Sequence, residues 1–349
     1  MDRIIALNFE DFDNDPLLDP KALHRYVADR LAADGMNYIF LDEIQLVSDF
    51  QRVIDSLHIR KNVDIYVTGS NAQILSGELA TLLSGRYIEI EMLPFSFKEY
   101  VQSTGSTSDL ERKYSDYITQ SSFPYAREFD GKQKQINDYL RGIYSTVILK
   151  DVMGRFKIAD SMMLESVVRF LFDNIGNQLS TKKISDSMTS DGRKIDVKTV
   201  EKYLRALQDS YIIYQAKRYN VKGRSYLKTL EKYYVVDTAL RGMLLGGKGA
   251  DVGHILENVV YLELLRRGYT VFVGKLDERE VDFVAMNDQG TAYFQVAATV
   301  RDSATFAREI QPLKKIPDDH PKCILTLDND PDANFDGIKR LNALTWLLQ

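Results

Sequence analysis

The stretch Asn37-Tyr38-Ile39-Phe40-Leu41-Asp42-Glu43 runs four apolar or aromatic residues directly into two adjacent carboxylates. Such a run reads as a buried central strand whose last residues emerge at the carboxyl edge of a sheet. That edge is where open α/β sheets gather ligands and reacting groups. Two acids side by side there suggest a division of labour, with Asp42 to hold a Mg²⁺ through water and Glu43 to polarise an attacking water. The same pair also suits the first turn of a helix, where the dipole favours acids.

The flanking sequence alternates strand and helix. Ile4 to Phe9 reads as a strand, Pro20 opens a helix running to Asp34, Gly35 ends it, and a helical stretch from Asp49 to Leu57 precedes the strand Val63 to Val67. Alternation of this kind predicts a parallel sheet. The second strand also ends on polar groups, Thr68, Ser70 and Asn71 around Gly69, which suit either contact with a terminal phosphate or a helix N-cap. An apolar helix at 78–83 leads through Ser84-Gly85-Arg86 to an expected strand Tyr87 to Met92. Arg86 suits a phosphate, or a surface helix end.

Together these stretches resemble the AAA-type ATPases, in the bacterial and archaeal branch with a C-terminal region of poorly defined function. Tyr38 to Gln45 resembles the Walker B strand, Val67 to Asn71 the sensor strand, and Leu82 to Arg86 followed by Leu93 to Tyr100 the family signature. The resemblance implies ATP with Mg²⁺ as cofactor, Asp42 and Glu43 as catalytic acids, and Arg86 where arginine fingers are often carried. Thr68, Ser70 and Asn71 would then lie on the nucleotide side.

One motif departs from the family. A P-loop, G-x-x-x-x-G-K-[ST], cradles phosphates on backbone N–H groups. The Gly-Lys pairs at Gly131, Gly247 and Gly274 continue with Gln, Gly and Leu, so the 349 residues hold no Walker A. In the family this loop precedes the strand that here begins near residue 4. The resemblance therefore implies either a gene start assigned too late or a remnant, and impaired hydrolysis with possibly no bound nucleotide in this chain.

Bulk properties narrow the remaining classes. The hydrophobic share of 44% and charged share of 27% are those of an ordinary soluble protein. The lone Cys323 fits a reducing, cytoplasmic setting. Four histidines without helical pairing make a zinc site unexpected, and no apolar run reaches membrane-spanning length. The net charge of -5 conceals a contrast: residues 1–60 carry 12 acids against 6 Lys or Arg, whereas residues 181–232 carry 13 basic residues against 6 acids. A basic segment inside an acidic chain is the informative feature.

That segment reads as helix, turn, helix and hairpin, with Asp196 capping the second helix and Val200, Leu204 and Leu207 on its buried stripe. This is the winged-helix plan. Lys198, Lys202 and Arg205 on the second helix, with Lys222 and Arg224 at the hairpin tip, are the candidate phosphate contacts to DNA. The same plan also serves protein contact or self-association.

Beyond the glycine-rich break Gly246 to Gly249, a helix to Arg267 and three strands resemble the restriction-endonuclease-like fold. There a helix acid (Glu257), a strand Asp (Asp282) and an E-x-K would bind metal. The E-x-K position reads Gln295-Val296-Ala297, so nuclease activity is not expected.

The expected architecture is thus a multidomain α/β protein. It comprises a truncated P-loop-type parallel sheet (1–101), a helical lid-like region (110–180), a winged-helix module (181–245) and a degenerate nuclease-like α/β domain (250–349). Its expected role is that of an ATPase-family protein acting on DNA or a protein partner. The alternatives are a non-enzymatic binding module descended from such an ATPase and, less favoured, a metal-dependent nuclease.

Overall fold

The computed structural model describes residues 3–69, 86–246 and 251–349. Ser70, Asn71, the expected helix at 78–83 and Gly247 to Gly249 lie outside the described residues. The chain divides into two compact units, Met1–Glu91 with Asp209–Tyr211, and Met92–Gln208 with Ile212–Gln349.

The first unit alternates as the sequence predicts: β1 (Ile4–Asn8), α1 (Pro20–Ala28), β2 (Asn37–Asp42), α2 (Phe50–His58) and β3 (Val63–Val67). Asp19 caps α1 by accepting from the Ala22 amide at 2.8 Å, and Pro20 needs no donor at the first helical position. The helix ends at Ala28, short of the expected Asp34. The strands lie parallel in the order β1-β2-β3, with Asn8 opposite Asp42 and Leu41 opposite Val67. Ile5, Leu7, Ile39, Leu41 and Val63 bury one face against Leu23, Val27, Val53 and Leu57 of the two helices.

The other face differs from expectation. Ile4, Tyr38, Phe40 and Tyr66 are each at least 40% exposed, and Phe40 stacks on Tyr66 with ring centroids 4.9 Å apart. The apolar run is therefore not buried on both sides, because alternate residues of a strand face opposite ways. The expected strand Tyr87 to Met92 is also absent as regular structure: Ile88, Ile90 and Met92 are 89%, 73% and 84% exposed.

The second unit opens on α3 (Phe97–Ser103), a helix fixed by a capping box in which Ser96 Oγ accepts from the Glu99 amide at 3.0 Å and Glu99 accepts from the Ser96 amide at 2.7 Å. Phe97 packs edge-on to Tyr114 and Tyr117 of α4 (Leu110–Gln120), so the signature segment belongs to this unit. The two compact units part between Glu91 and Met92, inside the 1–101 span expected for the first domain.

A helical layer follows: α5 (Gln133–Ile143), a π-helical turn (Tyr144–Asp151), α6 (Val152–Phe156), α7 (Ser161–Asp173), α8 (Thr181–Ser190) and α9 (Val197–Asp209). Asp196 caps α9 as expected, accepting from the Thr199 amide at 2.9 Å, and Val200, Leu204 and Leu207 are buried.

The remaining strands form one eight-stranded sheet. They are β4 (Ile213–Asn220) and β5 (Ser225–Val235), then, after α10 (Thr238–Leu245) and α11 (Val252–Arg266), β6 (Thr270–Leu276), β7 (Arg279–Asn287) and β8 (Gly290–Ala297). After α12 (Ser303–Lys314) come β9 (Lys322–Thr326), β10 (Ala333–Phe335), β11 (Ile338–Asn342) and α13 (Ala343–Leu347). The order is β10-β11-β9-β8-β7-β6-β4-β5. β4 lies parallel to β6, so the hairpin expected as the wing of a separate 181–245 module is the edge of the sheet that runs through the 250–349 region. Leu256, Val260 and Leu264 of α11 pack with Val273, Phe283 and Phe294 in one core, while Ile310 and Leu313 of α12 pack with Val281, Val284 and Ile324 in another.

Candidate functional site

Two clusters of polar side chains stand out, one in each unit. In the first unit the ends of β2 and β3 bring Asp42, Glu43 and Thr68 together. The Thr68 amide donates to the Leu41 carbonyl at 3.0 Å, carrying the parallel ladder one residue past β3. Its hydroxyl donates to Asp42 Oδ1 and accepts from the Glu43 amide at 3.2 Å. Glu43 adopts the left-handed conformation, φ 53°, which is uncommon for a residue with a side chain and turns the chain sharply off the strand. The Gln45 side-chain amide donates to the Glu43 carboxylate.

This edge suits a Mg²⁺ held through water: it presents hard oxygen donors on rigid strand ends. No G-x-x-x-x-G-K-[ST] run accompanies it among the 349 residues. Arg86 lies 3.1 Å from Asp55 of α2, an ion pair of two half-exposed side chains. Ser70 and Asn71, expected beside Thr68, fall outside the described residues.

In the second unit the structure gathers Glu257 from α11, Asp282 from β7 and Gln295 from β8, the three residues expected to share a site. The Asp282 amide donates to Gln295 Oε1 at 3.0 Å, and the Val296 amide donates to Asp282 Oδ2 at 2.8 Å. Gln295 Nε2 donates to Glu309 of α12 at 2.9 Å. Ala297, in the lysine position of the E-x-K pattern, is buried and uncharged.

A charge is nevertheless supplied, from another strand. Lys232 on β5 is 3% exposed, and its ammonium lies 2.8 Å from Glu257, 2.6 Å from Glu280 and 4.0 Å from Asp282. Burial alone would strip its proton, but Glu257, Asp282 and Glu280 outweigh that penalty and hold it above the ordinary lysine range. One ammonium cannot balance three carboxylates. Burial, then the neighbouring Glu257 charge, pushes the Asp282 carboxyl well above its usual range.

Tyr234 donates to the same Glu257 oxygen at 2.6 Å. Gly176, in the left-handed region at φ +71°, lies against Glu257, and a Cβ there would come within 3.3 Å of the second carboxylate oxygen. Beside the cluster opens a cavity of about 660 Å³ lined by Arg279, Glu280, Asp282, Gln295, Arg308 and Glu309. Among the described residues no group of three or more His, Cys, Asp or Glu is arranged to hold a metal ion.

Lys232, Glu280 and Glu309 were not singled out from sequence. A signal existed for the first: Lys232 shares a strand face with Tyr234 and leads straight into Tyr233-Tyr234-Val235-Val236, so a charge stands at the head of an apolar run.

The expected DNA contacts do not share one environment. Lys198, Lys202 and Arg205 are exposed on α9, where the Lys202 ammonium donates to the Lys157 carbonyl at 3.2 Å. Lys222 and Arg224 lie at the β4–β5 turn, where Lys222 pairs with Asp277 at 2.6 Å.

Residues 1–101 match a family described as an AAA domain, and residues 111–251 match a domain of unknown function, DUF8612. Residues 1–101 are thus similar to an AAA domain, and the whole chain belongs with a family of uncharacterized relatives. Its relatives there include an uncharacterized protein of Haemophilus influenzae, 38% identical over 352 residues that span 100% of this chain and 87% of the relative. The uncharacterized protein MJ1544 of Methanocaldococcus jannaschii is 29% identical over 306 residues, spanning 82% of this chain and 67% of that protein. Among solved structures, the Walker-type ATPase PABY2304 of Pyrococcus abyssi aligns with a TM-score of 0.41 and 17% identity, over 64% of this chain and 66% of that one. Among the described residues no helix is long and apolar enough to cross a membrane.

Proposed function

We propose that this chain is an ATPase-family protein that acts on DNA or a protein partner in the cytoplasm, with nucleotide hydrolysis impaired because the 349 residues hold no Walker A. The observation that carries the reading is the Thr68 hydroxyl bridging the Asp42 carboxylate and the Glu43 amide, which is the positioning that a Mg²⁺-holding acid and a water-activating acid need. The test is nucleotide binding and phosphate release, measured on this chain and on its Glu43→Gln variant. This chain should show no turnover above that of its Glu43→Gln variant, which removes the water-activating acid. Turnover by this chain that depends on Glu43 would overturn the impairment.

Contact with DNA is favoured by the excess of basic residues in 181–232 and by the exposure of Lys198, Lys202, Arg205, Lys222 and Arg224. Reversing these five charges should weaken duplex binding and flatten its salt dependence. Unchanged binding points instead to a protein partner or self-association. The second unit is read as a restriction-endonuclease-like domain without cleavage activity, given Gln295 and Ala297. Mn²⁺-dependent cleavage abolished by Asp282→Ala would reverse that reading.

A further inference from the structure

We propose that the tip of the β4–β5 hairpin binds single-stranded DNA, with an unpaired base stacked on the Tyr226 ring and the neighbouring phosphates on the basic residues around it. The inference deepens the reading of the chain as a DNA-contacting protein and rests on it.

A lone exposed aromatic is ordinary, and Tyr226 is set apart by its surroundings. It is 68% exposed, yet its ring is held by two others. Tyr219, its cross-strand partner, and Phe272 of β6 have ring centroids 5.7 and 5.3 Å from it. Phe272 is buried, and Tyr219 packs against the core that holds Val281, Val284 and Ile324. The core thus positions the ring while most of its surface stays open to solvent. A base that stacks there finds a platform already ordered.

The local charge suits a polyanion. From Ser210 to Leu230 the chain carries five basic residues, Lys217, Arg218, Lys222, Arg224 and Lys228, and no acid. Lys217 and Arg224 are exposed, and among the described residues neither stands in an ion pair. The turn that carries Arg224 is pinned: the Val221 amide donates to the Lys275 carbonyl at 3.0 Å and the Gly223 amide to Asn220 Oδ1 at 2.9 Å.

The geometry also selects an unpaired strand. A duplex hides the faces of its bases and presents only their edges in its grooves, so an open ring on a sheet surface has nothing to stack on. A single strand offers a π-face at every nucleotide. β5 is the last strand of its sheet, and the bridge on its outer side, Leu179 with Glu231, lies beyond Leu230. Among the described residues the outer side of Ser225 to Leu227 is open, which gives a DNA strand a path along the tip.

The test uses the full chain and a fluorescein-labelled oligo(dT) of about 15 nucleotides, alone and annealed to its complement, with anisotropy as the readout. Wild type should bind the single strand at least about tenfold tighter than the duplex. Tyr226→Leu keeps apolar bulk against Tyr219 and Phe272 without a π-face, and should weaken single-strand binding about tenfold while moving duplex affinity less than about twofold. Tyr226→Phe should bind as wild type does. In Tyr226→Trp, oligo(dT) should quench the new indole, which is told apart from Trp346 by subtracting the wild-type signal. Single-strand binding that survives Tyr226→Leu, a bound Tyr226→Trp protein without quenching, or a wild type that prefers the duplex overturns the proposal and leaves the DNA reading standing. Failure to bind either DNA overturns that reading and this inference with it.

Discussion

Thr68 and Asp42 stand at the tips of neighbouring parallel strands, joined by a hydrogen bond from the Thr68 hydroxyl to the Asp42 carboxylate, with the Glu43 amide donating to the same hydroxyl at 3.2 Å. One small side chain thus ties the Asp42 carboxylate to the backbone at Glu43. Thr68→Val keeps the shape but frees both partners, and should lower the stability of the first unit by about 1 kcal/mol in urea. Thr68→Ser, which retains the hydroxyl, should unfold at nearly the wild-type midpoint.

The Asp282 carboxyl carries a pH signature. Its folded-state pKa is raised by burial and then by Glu257, so the folded state favours the protonated form. The stabilisation from that preference is complete below the ordinary carboxylate range, about pH 4, and is lost as pH rises toward the folded value. Urea midpoints of the second unit should therefore fall from pH 5 upward. Asp282→Asn, which cannot ionise yet can still accept from the Val296 amide, should flatten this slope; an unchanged slope would place the titration elsewhere.

Cys323 offers a probe of opening. Burial in the sheet core pushes its thiol up to about 12, so little thiolate forms near neutral pH. Disulfide exchange with an aromatic disulfide reagent should be slow in the native protein at pH 8 and fast in denaturant. Rapid native reaction would mean that the strand pair β8–β9 opens locally.

The boundary between the units is also testable. Phe97 is 1% exposed and packs edge-on to Tyr114 and Tyr117. Phe97→Ala should cost the second unit about 3–5 kcal/mol and leave the first unit's unfolding unchanged. A loss shared by both units would argue against a boundary after Glu91.

Local chemistry made much of this legible from sequence. Asp196 and α9, the helix α11 and the strands β6 to β8 follow from caps and periodicity, signals contained within a dozen residues. What was not legible depends on distant pairing. Tyr87 to Met92 alternates like a strand, yet alternation does not supply a neighbour. The β4–β5 hairpin reads locally as a wing, but its place is decided by pairing with β6, some fifty residues downstream. The partners of Lys232 are hidden for the same reason, since Glu257, Glu280 and Asp282 lie on other elements. The short final elements β10, β11 and α13 carry too few residues for a clear period.

The parallel pairing of β4 with β6 also sets an order of events during synthesis. β4 and β5 are complete at Val235, but the strand that covers the β4 edge ends only at Leu276, roughly forty residues later, or about 2–8 s at bacterial-type translation rates. For that interval the nascent hairpin has an open edge, whereas the strands and helices of the first unit, all within Met1–Glu91, are already synthesised. Slow codons between 235 and 276 should therefore raise aggregation of the newborn chain more than the same codons placed before residue 91.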